Sequence, residues 1–130
     1  TTSDDNIFED KTILVGDDDD VSFILLCEAL KPTGIKILRA KDGRELFDMF
    51  RLNPTPLVIT NLKLPNMNGS EVMKIIKKMS PETVAIAQMP YFSAVDKRDY
   101  SNSFCDDYIE RPAKQEQIIE VLKKHLINKA

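Results

Sequence analysis

Short apolar runs alternate with amphipathic stretches along nearly the whole chain, and this alternation limits the fold more than any other feature. Five runs, at residues 12–15, 35–38, 57–60, 84–87 and 107–109, are too short for helices and are bounded by turn residues, which predicts strands. Between them the period changes to that of a helix. Residues 21–30 carry Phe23, Leu26 and Leu30 on one stripe and stop at Pro32 and Gly34. Residues 44–51 bury Leu46, Phe47 and Phe50 before Asn53-Pro54-Thr55-Pro56 breaks the helix. After the turn at 65–69, Val72, Ile75, Ile76 and Met79 stand at i, i+3, i+4 and i+7, with Lys74, Lys77 and Lys78 outside. Residues 114–127 turn Ile118, Ile119, Leu122 and Leu126 inward, whereas the polar stretch 93–103 predicts a short or irregular helix. Five strand-then-helix units imply a parallel sheet with helices on both faces, because each crossover must return the chain to the same end.

In such a sheet the site lies outside the carboxyl ends of the strands. The residues there are Asp17 to Asp20, Asn61, Gln88, Met89 and Arg111. Four consecutive aspartates cannot all be buried, because repulsion and desolvation would neutralise some of them. They form either a solvated turn that caps the next helix or a site for a hard cation. Mg²⁺ prefers oxygen ligands and keeps several waters, so two carboxylates and a carbonyl suffice, with Asn61 able to offer a neutral oxygen.

Composition narrows the function classes. With 130 residues, 42% of them hydrophobic, the chain is expected to hold one domain at residues 12–127. Residues 1–11 are expected to be a flexible lead-in, with Ile7 and Phe8 resting on the domain, and 128–130 a tail. A net charge of -3 speaks against a generally basic nucleic-acid binder. No apolar stretch is long enough to span a membrane, and the acidic start is unlike a signal peptide, so a cytoplasmic setting is expected. Cys27 and Cys105 lie far apart in apolar surroundings and are expected to be buried thiols. No GxGxxG or GxxxxGK[ST] motif occurs, and the aspartates would repel a nucleotide's phosphates.

Four blocks resemble the receiver domains of bacterial-type two-component response regulators, over residues 11–126. Ile13-Leu14-Val15-Gly16-Asp17-Asp18-Asp19 resembles the opening strand and acidic pair, and Ala40-Lys41-Asp42-Gly43 the turn after the second strand. Pro56-Leu57-Val58-Ile59-Thr60-Asn61-Leu62-Lys63-Leu64-Pro65-Asn66-Met67-Asn68-Gly69 resembles the family's most specific block. Asp106-Asp107-Tyr108-Ile109-Glu110-Arg111-Pro112 resembles the last strand and its cis-proline turn. The resemblance implies an α/β, CheY-like (flavodoxin-like) (βα)5 fold, with a five-stranded parallel sheet in the order 2-1-3-4-5. It also implies two-component signalling, in which a phosphoryl group moves from a histidine kinase onto the receiver's own aspartate. Asp17 and Asp18 match the Mg²⁺-binding pair, and Lys63 supplies the backbone carbonyl that completes the protein ligands.

Three positions depart from that pattern. Asn61 stands at the phosphoacceptor position, and an amide oxygen cannot form the acyl phosphate. Arg111 stands at the lysine position, where its planar fork is a poor substitute for a point charge. The hydroxyl residue after the fourth strand is missing: counting back from Arg111 puts the position at Met89, and strand patterning puts it at Gln88. Together these read as a pseudo-receiver, a non-enzymatic module acting through protein contacts. The alternative is a conventional Mg²⁺-dependent receiver carrying an aspartate-to-asparagine change at residue 61. Any Mg²⁺ on Asp17, Asp18, Asn61 and the Lys63 carbonyl is expected to be weak, with Arg111 pairing with Asp18 in the ion's place.

The implied partners are a histidine kinase, an adjacent output domain or another receiver, with weak homodimerisation also open; nucleic-acid and membrane binding are not expected. Family members signal through the face made by the fourth helix, the fifth strand and the fifth helix, where Tyr108 matches the strand aromatic. Tyr91 and Phe92 follow the altered pocket and either face outward as contact anchors or fold over it. Phe104 replaces a small residue of the family and is expected to repack near Tyr108. Val21, Ile24 and Leu25 give the first helix a second apolar face, expected as ordinary core rather than as a partner surface.

Overall fold

The predicted strands form one parallel sheet in the order β2-β1-β3-β4-β5. The computed structural model describes residues 4–89, 98, 100 and 104–127. In chain order the elements are β1 (Thr12–Gly16), α1 (Asp20–Leu30), β2 (Lys36–Ala40), α2 (Gly43–Leu52) and β3 (Leu57–Asn61). There follow α3 (Gly69–Met79), β4 (Val84–Met89), β5 (Asp107–Glu110) and a C-terminal helix (Gln115–Leu126). The helix expected at 93–103 lies outside the described residues except for Arg98 and Tyr100, which are helical.

Side chains alternate across the sheet, and this divides the core in two. Ile13, Val15, Leu57, Ile59, Val84 and Ile86 point to one face and are covered by Leu26 and Leu30 of α1 and by Ile118, Ile119 and Leu122 of the C-terminal helix. Leu14, Val58 and Ala85 point to the other, against Leu46 and Phe50 of α2 and Val72, Met73 and Ile76 of α3. Both faces of the central strands are therefore buried, which is why β3 and β4 read as nearly unbroken apolar runs.

Every strand runs past its expected end, β1, β3 and β5 by one residue and β2 and β4 by two. β2 begins one residue late because a 3-10 turn, Lys31–Thr33, ends at Gly34 with φ +75°, and the chain straightens only after Ile35. It runs on through Arg39 to Ala40, opposite Val15 and Gly16 of β1. β4 extends two residues past Ala87, since Gln88 pairs with Asn61 of β3 and Met89 with Glu110 of β5.

The flexible lead-in expected at 1–11 is corrected for residues 4–11. Phe8 is wholly buried in the core under α1. The Asn6 and Phe8 amides donate to the carbonyls of Pro32 and Thr33, both at 2.8 Å. Asp4 meets Lys123 of the C-terminal helix at 3.2 Å. The two thiols are free as expected but only partly buried, and burial pushes the Cys27 thiol up. Among the described residues, no helix is long and apolar enough to cross a membrane.

Candidate functional site

Asp17 leaves the end of β1 with its carboxylate wholly buried. A charge in that position needs donors on both oxygens, and the chain supplies them from four places. Oδ1 accepts from the Asp19 amide at 2.9 Å and from Asn61 Nδ2 at 3.1 Å. Oδ2 accepts from Gln88 Nε2 at 3.0 Å and lies 3.7 Å from Arg111 Nη1. Gln88 Nε2 also donates to Asn61 Oδ1 at 3.0 Å, and Asn61 Nδ2 reaches Asp18 Oδ1 at 3.4 Å. The orientations of both amides follow from this set: an ionised carboxylate only accepts, so each amide must turn its NH₂ toward Asp17.

The pocket thus joins Asp17, Asp18, Asn61, Gln88 and Arg111, the ends of β1, β3, β4 and β5. Parallel pairing brings Asn61 level with Gln88. Gly69 lets the start of α3 close on β3, because a Cβ there would sit 1.9 Å from the Asn61 carbonyl oxygen. Of the two candidates for the hydroxyl position, Gln88 is the one that enters the pocket. Met89 faces the other way and packs with Leu62 and Ala87 beside Tyr100 and Cys105.

The remaining aspartates have separate tasks. Asp19 caps α1, accepting from the Val21 amide at 2.9 Å and the Ser22 amide at 3.4 Å. Asp20 pairs with Arg39 at 2.8 Å. The Arg39 guanidinium also donates from Nε to the Asp17 carbonyl at 3.1 Å and lies over the Phe23 ring at 4.6 Å. Arg111 donates to the Ser22 hydroxyl as well as facing Asp17. The partner expected for Arg111 was Asp18; the guanidinium instead faces Asp17, the buried carboxylate, where desolvation makes a counter-charge most valuable. Sequence reasoning missed Arg39 and Ser22. An arginine directly after the apolar pair Ile37-Leu38, near the carboxyl end of a predicted strand, was the available signal for the first.

This donor set does not fit a divalent cation. Both Asp17 oxygens are engaged, Asn61 presents N–H rather than oxygen to the two carboxylates, and a guanidinium stands beside them. Lys63 is exposed at the start of the β3–α3 loop.

The other singled-out residues lie elsewhere. Tyr108 is partly exposed on β5 and packs edge-to-face with Tyr100, ring centroids 5.4 Å apart. Phe104, expected beside Tyr108, is instead exposed with Lys74 Nζ 5.6 Å from its ring centroid. Its φ of +65° is the left-handed region that a glycine enters freely and a bulky side chain at a cost of about 1–3 kcal/mol. Tyr91 and Phe92 lie outside the described residues. Val21, Ile24 and Leu25, expected as core, are 65%, 57% and 64% exposed, because the inward stripe of α1 is already filled by Leu26 and Leu30.

A five-stranded parallel sheet in the order 2-1-3-4-5 with an acidic pocket at its switch point defines the flavodoxin-like class. The family model described as "Response regulator receiver domain" matches residues 13–123, and the chain belongs to that family, whose members are signalling modules of two-component and phosphorelay systems. It is 29% identical over 111 residues to the autoinducer 1 sensor kinase/phosphatase LuxN of Vibrio harveyi, covering 85% of this chain and 13% of LuxN. It is 24% identical to the polar-differentiation response regulator DivK of Brucella anthropi, covering 89% of this chain and 96% of DivK. The chain therefore spans about an eighth of one curated relative and nearly all of another.

Two solved structures share the fold. The receiver domain of sensor histidine kinase PA1611 of Pseudomonas aeruginosa, with a magnesium ion coordinated in its active-site cleft, superposes with a TM-score of 0.82 at 17% identity, covering 88% of this chain and 95% of that one. The second is the Saccharomyces cerevisiae co-crystal of the histidine phosphotransfer protein Ypd1 with the receiver domain of Ssk1, with a TM-score of 0.78 at 21% identity over 91% of each chain.

Proposed function

We propose that this chain is a receiver module that takes up no phosphoryl group at residue 61 and signals through protein contacts, without enzymatic activity of its own. One observation carries the reading: Asn61 is neutral, and both ends of its amide are spent inside the pocket, Nδ2 on Asp17 and Asp18, Oδ1 on Gln88. Phosphoryl transfer needs an oxygen nucleophile with a lone pair aimed outward. Here the oxygen belongs to an amide and faces a donor. Asp17 and Asp18 carry the charge that an ordinary receiver would share with its phosphoacceptor, and Lys63 stands where the family's backbone-carbonyl ligand does. Any Mg²⁺ they hold is held weakly.

The partners that fit are a histidine phosphotransfer protein, as in the Ypd1–Ssk1 co-crystal, a histidine kinase, an adjacent output domain or another receiver. Tyr108 with Tyr100 on the β5 side, and the exposed Val21, Ile24 and Leu25 on α1, offer apolar surface to them. A cytoplasmic setting suits such partners. The test is incubation with acetyl phosphate and Mg²⁺ followed by intact-mass measurement. The expected spectrum is unchanged, and a stoichiometric added phosphoryl group at residue 61 overturns the proposal.

A further inference from the structure

We propose that Arg111 and Arg39 perform the electrostatic task of a divalent cation, so that the acidic pocket of this chain is held closed without metal. The inference deepens the reading above and rests on it only for the identity of the pocket.

Two of the four carboxylates of the Asp17–Asp20 run have a guanidinium set against them from within the chain. With residue 61 neutral, the Arg111 guanidinium lies 3.7 Å from Asp17, and Asp20 is matched by Arg39 at 2.8 Å. Asp19 is spent on the α1 cap. Asp18, like Asp19, has no cation partner among the described residues, and it is exposed. The buried carboxylate, Asp17, is the one that has the counter-charge and the neutral donors. Arg39 closes the loop from the other side by tying the Asp17 carbonyl to the start of α1. An incoming Mg²⁺ would have to displace two amide donors and approach a fixed positive charge, while a single exposed carboxylate gives it little in return. Arg111 and Arg39 are therefore positioning residues for the Asp17–Asp20 loop.

The experiment is a Mg²⁺ titration of the full chain to about 10 mM, read by ¹H–¹⁵N spectra and by melting temperature, where a site filled to ten times its Kd would raise Tm by about 3 °C or more. The natural chain is expected to show no saturable shifts at Asp17, Asp18 and Asn61 and an unchanged Tm. Arg111→Gln removes the internal cation, so it is expected to melt lower without metal and to regain Tm as Mg²⁺ is added, a response that loss of packing alone would not produce. Saturable submillimolar binding by the natural chain, or an Arg111→Gln protein as indifferent to Mg²⁺ as the natural one, overturns the proposal. Should Arg111→Gln fail to fold in either condition, Arg39→Gln decides. Its Mg²⁺ affinity either rises by about threefold or more, in support, or stays where it was, against. Phosphoryl uptake at residue 61 would overturn the functional reading and leave this titration to stand by itself.

Discussion

Gln88 holds the pocket together from its centre. Its amide bridges Asp17 Oδ2 and Asn61 Oδ1, both at 3.0 Å, and it is nearly inaccessible to water. Gln88→Ala leaves one buried and one half-buried acceptor short of a donor, and the expected cost is about 1–3 kcal/mol by denaturant unfolding. Asn61→Asp sets a third carboxylate against Asp17 and is expected to destabilise the metal-free chain by a similar amount, about 1–3 kcal/mol, with recovery in Mg²⁺. That single change should not make a working acceptor, because Gln88 and Arg111 still occupy the surroundings. The triple change Asn61→Asp, Gln88→Thr, Arg111→Lys is expected to take up a phosphoryl group from acetyl phosphate where Asn61→Asp alone takes up much less, checked by intact mass. At this scale the pocket was largely legible, since Asp17, Asp18, Asn61 and Arg111 each lie at the carboxyl end of a strand. The choice between Gln88 and Met89 was not, because it depends on which face of β4 each side chain takes. Arg39 was hidden because a strand pattern does not report which backbone carbonyl a long side chain reaches.

The C-terminal helix is fastened to β5 by charge as well as by its apolar stripe. His125 Nε2 meets Asp107 Oδ2 at 2.9 Å, and Lys124 Nζ lies 3.6 Å from the same oxygen. Burial pushes the Asp107 carboxyl up, but the His125 hydrogen bond, the Tyr108 amide and the Lys124 charge outweigh it and hold the carboxyl below its ordinary 3.8. A carboxyl lowered by folding adds stability above its unfolded pKa and loses it as pH falls through the lower, folded one. The stability difference between the natural chain and Asp107→Asn is therefore expected to be full near neutrality and to shrink below about pH 4, as followed by urea unfolding. On α1 the expectation is reversed: Leu25→Glu on the exposed face should leave stability within about 0.5 kcal/mol, while weakening pull-down of a cognate kinase or phosphotransfer partner if α1 contacts it. Element order and type were readable because both faces of the sheet are covered, which makes the strands short and apolar and the helices one-sided. The limits of β2 and β4 were less so, since Arg39 and Gln88 are polar residues placed in strands by the site they serve.

Across the whole molecule the two cores differ in how they are completed. The one beneath α2 and α3 takes one buried residue from outside the sheet and helices, Leu64 of the β3–α3 loop, whereas the one beneath α1 and the C-terminal helix takes Phe8 from the segment before β1. Phe8→Ala is expected to cost about 3–5 kcal/mol, as other buried aromatic truncations do, and to lower the melting temperature accordingly. The lead-in reads as flexible, with Ile7 and Phe8 only resting on the domain, because its neighbours are acidic and its two apolar residues stand alone; what a single aromatic fills is decided by the far end of α1 and the 3-10 turn, not by adjacent letters. The practical result concerns where to cut. The family pattern begins at residue 13, and a recombinant fragment trimmed to that limit would discard a plug of the hydrophobic interior and leave an open hole in the core that Leu30 and Leu122 share. Such a fragment would be prone to clump on purification, and its poor behaviour would be a fault of the scissors, not of the signalling pocket at the opposite end of the strands.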